Sequence, residues 1–214
     1  GLLVEDAKGK FRPATELLLP LAGIQDYVKK IWAGEHPRPS ETYPEDCRDF
    51  LIALGVRTMP SVEQIRDVFD LGVNGIDMSV GLAGLINGLY REGKDLSSLP
   101  LKEQPWIADG NDKVRCPDEL FERTGKVSSL LGSAPDLYAD GDVRSTLDSK
   151  FKKELGFKQL EDVRLKDVLG RIKAGLKTGA FVPFQVYKWM EQGLDKGWLN
   201  ADELVGKLKG KNWV

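Results

Sequence analysis

Two kinds of hydrophobic pattern alternate along the chain. Short runs of alternating apolar and polar residues predict strands at 2–5, 10–12, 106–108, 113–115 and 212–214. Apolar residues at every third or fourth position predict helices, at 44–54, 61–71, 76–91, 145–155, 165–176, 183–193 and 201–208. The segments 33–43 and 132–141 are rich in Pro, Gly and Asp, and we expect both to be exposed loops.

Several helix ends carry local signals. Ser61 and Gln64 have the spacing of a capping box, and Gly72 follows the same helix as a C-terminal cap. Asn200 or Ala201 is expected to cap the last helix. The helix over 76–91 contains three glycines at a spacing that permits close packing against a neighbour: Gly81, Gly84 and Gly88.

The hairpin pattern occurs twice. Residues 3–18 (LVEDAKGKFRPATELL) align without a gap to residues 106–121 (WIADGNDKVRCPDELF), at an offset of 103. The identical pairs are Asp6/Asp109, Lys10/Lys113, Arg12/Arg115, Glu16/Glu119 and Leu17/Leu120. Each copy predicts an apolar strand, a polar turn, a second short strand and a helical turn that begins at proline.

Weaker matches follow in the same order. FLIALGV at 50–56 resembles FKKELGF at 151–157, and each predicts a helix that ends at a glycine in the left-handed conformation. Further pairs are 66–69 with 166–169, 86–93 with 186–193, and 101–107 with 208–214. The alternative is that hairpin and helix signals recur by chance in a helix-rich chain.

We therefore predict an α+β fold that is mainly α, made of two tandem units of about 103 residues. Each unit is a short β-hairpin followed by three or four helices. The first unit spans 1–103, and the second spans 104–214 and ends on the first strand of a third hairpin. This ending, and the Gly at the start, suggest a segment of a longer array.

Composition narrows the class of protein. The chain has 214 residues, of which 41% are hydrophobic and 30% charged, which excludes collagen-like, disulfide-scaffold and disordered classes. No apolar run is long enough for a membrane helix, no signal peptide is visible, and two cysteines predict free thiols. These features favour an intracellular protein, cytoplasmic or nuclear, with no membrane partner.

Charge is uneven along the chain. Residues 1–143 contain 16 basic and 24 acidic side chains, whereas 144–214 contain 15 and 9, although the whole chain carries a net charge of only −2. Such asymmetry fits a nucleic-acid face, two halves that attract each other, or a solvated lysine-rich surface, which we favour. A nucleic-acid face would use six basic residues: Lys150, Lys152, Lys153, Lys166, Arg171 and Lys173.

Motifs for chemistry are missing from the sequence. His36, the only histidine, lies in the predicted loop GEHPRPS and has no cysteine pair near it to complete a zinc site. The acidic turns lack EF-hand spacing, and 70–75 lacks the lysine of a phosphate-binding loop. We therefore assign no catalytic, cofactor-binding or metal-binding residue, and we expect Trp106 and Trp213 to anchor hairpins rather than to stack on bases.

The second hairpin, WIADGNDKVRCPDELF at 106–121, resembles a sequence motif that recurs in sacsin and in plant NO VEIN-type proteins. The stretch ALGV-x-x-x-x-S-V-x-x-I at 53–65 is similar to the same regions, and 3–18 fits loosely. Those proteins carry an Hsp90-like ATPase module followed by long α-rich regions. The ATPase motifs are missing here, so the resemblance implies an accessory repeat segment without catalytic residues.

Three hypotheses follow from the sequence. The first is a non-catalytic interaction or scaffold segment of a larger sacsin-like, chaperone-related protein, which binds protein partners or neighbouring repeats. The second is a tandem winged-helix-like protein that binds nucleic acid through its basic C-terminal half. The third is an enzyme whose site is assembled from carboxylates on different helices, for which the sequence selects no residue. We favour the first.

Overall fold

The fold was analysed in a computed structural model that describes residues 2–19, 37–179 and 182–209. Its strands are β1 (Leu3–Glu5), β2 (Phe11–Pro13), β3 (Ile107–Ala108) and β4 (Val114–Arg115). Its α-helices are α1 (Arg48–Ala53), α2 (Val62–Leu71), α3 (Gly75–Arg91), α4 (Gly125–Leu131), α5 (Gly141–Thr146), α6 (Ser149–Leu155), α7 (Leu165–Thr178), α8 (Phe184–Asp195) and α9 (Ala201–Leu208). The predicted α+β, mainly α class with two antiparallel hairpins is confirmed.

Helix ends with local caps lie where the sequence predicted them. Ser61 and Gln64 form the expected capping box at the start of α2, and Gly72 ends that helix with a φ of 85°. The Asn200 side chain accepts hydrogen bonds from the amides of Asp202 and Glu203 at the start of α9. These signals act within one helical turn, so they are independent of the rest of the fold.

Three predictions at the level of elements were wrong. The helix over 145–155 is two helices, because the Asp148 amide donates to Asn87 Oδ1 on α3, 3.0 Å away, and the backbone is extended there. The prediction that 132–141 is an exposed loop fails at Tyr138 and Ala139, which are buried, although 133–136 are exposed. Helix α4, capped by the Thr124 side chain, had no predicted counterpart. The strand at 212–214 and residues 33–36 lie outside the described part of the chain.

Each hairpin turns around a buried aspartate. Asp6 Oδ1 accepts the amides of Lys8 and Lys10 at 2.8 and 2.9 Å, and its Oδ2 lies 2.7 Å from Arg12 Nε. Asp109 Oδ1 accepts the amides of Asn111 and Lys113 at 2.8 and 3.0 Å, and its Oδ2 lies 3.1 Å from Arg115 Nε. The two turns therefore make the same three bonds at positions 103 residues apart.

The turn also needs a left-handed residue at one position. Gly9 has a φ of 74° there, and the equivalent Asp112 has a φ of 62°, a conformation that aspartate tolerates better than most residues. The Asp112 carboxylate accepts the amide of Ile76 in the first turn of α3 at 2.6 Å. This bond ties the turn of the second hairpin to the N-terminus of α3.

The correspondence extends beyond the hairpins. The amide of Leu19 donates to the carbonyl of Arg57, and the amide of Glu122 donates to that of Lys158. The amides of Val56 and Phe157 both donate to the carbonyl five residues earlier, that of Leu51 and that of Lys152. At the ends of α3 and α8, Gly93 and Gly197 donate to the carbonyls of Tyr90 and Leu194. Helix α8 thus ends as α3 does, at positions 104 residues apart, whereas the predicted pairing of 86–93 with 186–193 has an offset of 100 and stays a prediction.

The largest hydrophobic cluster includes residues from both sides of the predicted boundary at 103 and 104. It contains apolar residues of α2 and α3 together with residues of β3, α5 and α6. A second cluster lies among α4, α7, α8 and α9, and a small third one lies beneath the first hairpin. Helix α3, which follows the first hairpin in the chain, thus packs on the second hairpin and on the helices after it.

We expect the two buried aspartates to make the free energy of unfolding depend on pH. The Lys10 amide and the Arg12 guanidinium lower the pKa of Asp6 from 3.8 to about 2. Burial by itself raises the pKa of Asp109, but the amides of Lys113 and Asn111 and the Arg115 side chain outweigh it and lower the pKa overall. Because the carboxylates have lower pKa values when folded, their stabilisation is present above about pH 4 and is lost as the pH falls towards 2.

Urea unfolding between pH 6 and pH 2 measures this effect. The variant Asp6→Asn should have a lower free energy of unfolding than the wild type at pH 6, and the difference should shrink towards pH 2. Asp67→Asn, which removes an exposed carboxylate from α2, controls for the loss of one surface charge. A difference between Asp6→Asn and wild type that stays constant with pH would contradict the assignment.

Candidate functional site

Among the described residues, α3 makes extensive polar and apolar contacts with the second hairpin region, by which we mean β3, β4, α5 and α6. We call this contact the junction. Helix α3 presents one stripe of residues, spaced three or four apart, to β3, α5 and α6. The members that bond across the junction are Ile76, Ser79, Asn87, Tyr90 and Arg91.

Two buried polar side chains on this stripe bind backbone amides. Ser79 Oγ accepts the amide of Ala108 in β3 at 2.8 Å, and Asn87 Oδ1 accepts the amide of Asp148 at 3.0 Å. Both side chains are buried, so each amide would lack a partner if α3 were absent. The bonds fix the register of α3 on the second hairpin region.

Aromatic and charged contacts surround those bonds. Trp106 is fully buried; its indole donates to the Leu101 carbonyl at 2.8 Å, and its ring lies edge-on to Phe69 of α2, with centroids 6.1 Å apart. Tyr90 stacks on Phe151 at 4.2 Å. At the rim, Arg91 makes two bonds of 2.7 and 2.8 Å to Asp148. The prediction that Trp106 anchors its hairpin is confirmed.

Two glycines of α3 lie near neighbouring side chains. A Cβ atom at Gly88 would lie 2.8 Å from the Cε of Met59, which is closer than real Cβ atoms approach their neighbours. At Gly84 a Cβ would lie 3.8 Å from Thr146 of α5, an ordinary contact distance. Because Met59 Cε is the end of a flexible side chain, which can shift, the predicted role of these glycines in close packing stays a prediction.

The six basic residues proposed for a nucleic-acid face are not equivalent. Lys150 and Lys153 are exposed on α6, and Lys166 and Lys173 are exposed on α7. Arg171 is half-buried, and its guanidinium occupies the space beside Gly132 that a Cβ would fill. Lys152 is buried, with its Nζ 2.8 Å from Glu122 Oε1. Two of the six side chains are therefore engaged inside the fold.

The buried pair Lys152 and Glu122 has an apolar counterpart in the same molecule. By the shared backbone bonds, Lys152 corresponds to Leu51 and Glu122 corresponds to Leu19. Those two leucines belong to the small cluster beneath the first hairpin. The second region thus holds an ion pair where the first holds two packed leucines, and Glu122 Oε2 has no hydrogen-bond partner within the described residues.

The sequence did not reveal that three large apolar side chains in the N-terminal part of the chain are exposed. Leu3 and Phe11 lie on the first hairpin and Phe50 lies on α1, and all three are exposed. They correspond to Trp106, Val114 and Phe151, two of which are buried. The alignment of 3–18 with 106–121 pairs Leu3 with Trp106 and Phe11 with Val114. It could not predict which member of each pair is exposed, because exposure depends on the three-dimensional arrangement.

A groove of about 780 Å³ lies between the start of α7, the end of α8 and α9. Its walls include Trp189 and Trp198, whose rings meet edge-on at 4.7 Å, and side chains of both charges, such as Lys207 and Glu203. Lys207 and Glu203 pair with each other at 3.0 Å. The groove therefore holds no concentrated charge that would select one ligand.

Other features bear on the class of site. Within 2–19, 37–179 and 182–209, no group of three or more His, Cys, Asp or Glu side chains is placed to hold a metal ion. Cys47 and Cys116 are free thiols, as predicted, and His36 lies outside the described residues. Among the described helices, none has the length and apolar character needed to span a bilayer.

Comparison with known proteins found no matching family model, no similar curated protein and no similar solved structure.

We expect the fold to tolerate apolar replacement of both Lys152 and Glu122, but not the loss of Lys152 alone. Lys152→Met should lower the free energy of unfolding by about 3–5 kcal/mol, because it leaves the Glu122 carboxylate buried without its partner. The double variant Glu122→Leu/Lys152→Leu, which copies Leu19 and Leu51, should be as stable as the wild type or more stable. Urea denaturation at neutral pH measures all three proteins, and a double variant as unstable as Lys152→Met would contradict the prediction.

Proposed function

We propose that this chain is a non-catalytic interaction or scaffold segment, built from tandem hairpin–helix units, of a larger sacsin-like, chaperone-related protein. The observation that carries the proposal is the covering of the second hairpin by α3. Ser79 and Asn87 of α3 bind backbone amides of the second region, and Trp106 is fully buried against the same helices. A unit whose hairpin is completed by the helices of the unit before it suits a stacked array.

The shape of the contacts supports a structural role over a chemical one. The buried polar groups of the junction, Ser79, Asn87 and Asp109, each accept backbone amides. Such groups fix one arrangement of neighbouring elements, which suits a structural role. In a stacked array, this arrangement makes a continuous surface whose ends remain open to partners.

The nucleic-acid alternative receives less support from the positions of the basic residues. Lys152 is buried against Glu122, and Arg171 is packed beside Gly132. Lys150 lies 3.8 Å from Glu154, which offsets its charge on the surface of α6. Phosphate binding requires exposed and unpaired cations along one face. The positions of these basic residues therefore favour the scaffold function.

A scaffold of this kind should unfold as one body. Phe69 of α2 contacts Trp106 across the junction, so Phe69→Ala should lower the free energy of unfolding by about 3–5 kcal/mol. Far-ultraviolet circular dichroism and tryptophan fluorescence should report the same shifted transition in urea, since both regions lose stability together. Phe50→Ala, which removes a phenyl ring that is mostly exposed, is the matched control and should change little.

A different result would overturn the proposal. Two separate transitions, of which only the earlier one moves in Phe69→Ala, would mean that the two regions fold independently. The chain would then be a string of separate domains and not a continuous scaffold.

A further inference from the structure

Asparagine is followed by glycine at two places in the chain, Asn74-Gly75 and Asn87-Gly88. This dipeptide readily loses its side-chain amide, because glycine has no side chain to hinder the attack of its own backbone nitrogen on the asparagine Cγ. The attack requires a free glycine nitrogen, a free asparagine side chain and a backbone that can rotate between them. The structure places the two dipeptides in opposite situations.

Asn74 lies at the exposed start of α3. It is the N-cap residue, with an extended backbone (φ −137°, ψ 124°), and its side chain makes no capping hydrogen bond. Within the part of the chain that the structure describes, no hydrogen bond holds the amide of Gly75, and the nearby carboxylate of Asp112 accepts the next amide, that of Ile76. Both reacting groups at Asn74-Gly75 are therefore available.

The start of α3 also permits the rotation. The attack turns the backbone of Asn74 about ψ, which disturbs one intrahelical bond, the first, whose acceptor is the carbonyl of the N-cap residue. Gly75 has a φ of 76°, and a Cβ atom there would lie 3.3 Å from Asp112 Oδ1, so the position favours glycine. The fold therefore favours, after an exposed asparagine, the residue that least hinders the reaction.

Asn87 has none of these freedoms. Its side chain is buried, and its Oδ1 accepts the amide of Asp148 at 3.0 Å. Gly88 lies in the interior of α3, where the backbone amide belongs to the hydrogen-bond ladder of the helix. Attack at Asn87 requires α3 itself to open, so we expect Asn87 to react only from an opened or unfolded chain.

We propose that Asn74 is a site of spontaneous deamidation in the folded protein. The Gly75 nitrogen forms a bond to Cγ of Asn74 and loses its proton, while the bond from Cγ to Nδ2 breaks and the side-chain nitrogen leaves as ammonia. Water then adds to either carbonyl of the succinimide ring and opens it, which yields aspartate or isoaspartate at position 74. Water is the co-reactant, and no enzyme is required.

Either product alters how the chain enters α3. Aspartate places a carboxylate at the positive end of the helix, which is a stabilising position. Isoaspartate carries the backbone through the side-chain carbon, so it lengthens the connection to Gly75. The buried bonds of Ser79 and Asn87 lie further along α3, and we expect the junction to persist in both products. The reaction does not depend on the scaffold function.

Incubation of the whole chain at mildly alkaline pH, followed by brief trypsin digestion and tandem mass spectrometry, tests the proposal. Trypsin cleaves after Lys and Arg, so Asn74 and Asn87 lie in one peptide, 67–91. This peptide should gain the mass difference between a hydroxyl and an amide NH2, located at Asn74. Asn74 should react on the order of a hundred times faster than Asn87 or more, because helix ends open at almost no cost whereas helix cores do not.

The unfolded chain in concentrated urea is the reference state. Both asparagines lose their protection there and should react at similar rates, because both precede glycine. Asn74→Ser keeps an N-cap residue and removes the reacting amide, so peptide 67–91 of this folded variant should keep its mass. The proposal is wrong if Asn74 stays intact in the folded protein over the time in which the unfolded chain reacts. It is also wrong if Asn87 reacts as fast as Asn74 in the folded protein.

Discussion

The structure depends on the contact between α3 and the second hairpin, because a hairpin of two-residue strands cannot be stable in water without a helix or further strands against it. Ser79 satisfies the amide of Ala108, and Asn87 satisfies that of Asp148. Both acceptors are buried polar side chains of α3. The bond to Asn87 lies where the helix predicted at 145–155 is divided. The ring of Trp106 also packs edge-on against Phe69 of α2.

The buried aspartates show how such small hairpins hold their shape. A carboxylate without partners would be costly to bury, but each one accepts two amides from its own turn and a guanidinium from the second strand. The turn is thereby fixed by bonds within seven residues, and the apolar surface of the hairpin is left to contact helices.

Local features were predictable from the sequence and long-range ones were not. The caps of α2 and α9 depend on residues within one turn, and the aligned Asp6 and Asp109 make equivalent bonds. The break before α6 depends on Asn87, 61 residues away, so no local signal marked it. The candidate basic surface was only partly predictable, since the burial of Lys152 depends on its partner Glu122. The likeness to sacsin-type proteins stays a prediction.

Native-state hydrogen exchange compares the two hairpins most directly, through a matched pair of amides. Asp6 and Asp109 donate to Lys10 and Lys113 at 2.7 and 2.8 Å, in equivalent turns. Because α3 covers only the second hairpin, the Asp109 amide should exchange with the same free energy of opening as the core of α3, and the Asp6 amide with a lower one. Equal free energies for the two amides, both well below that of α3, would contradict the account.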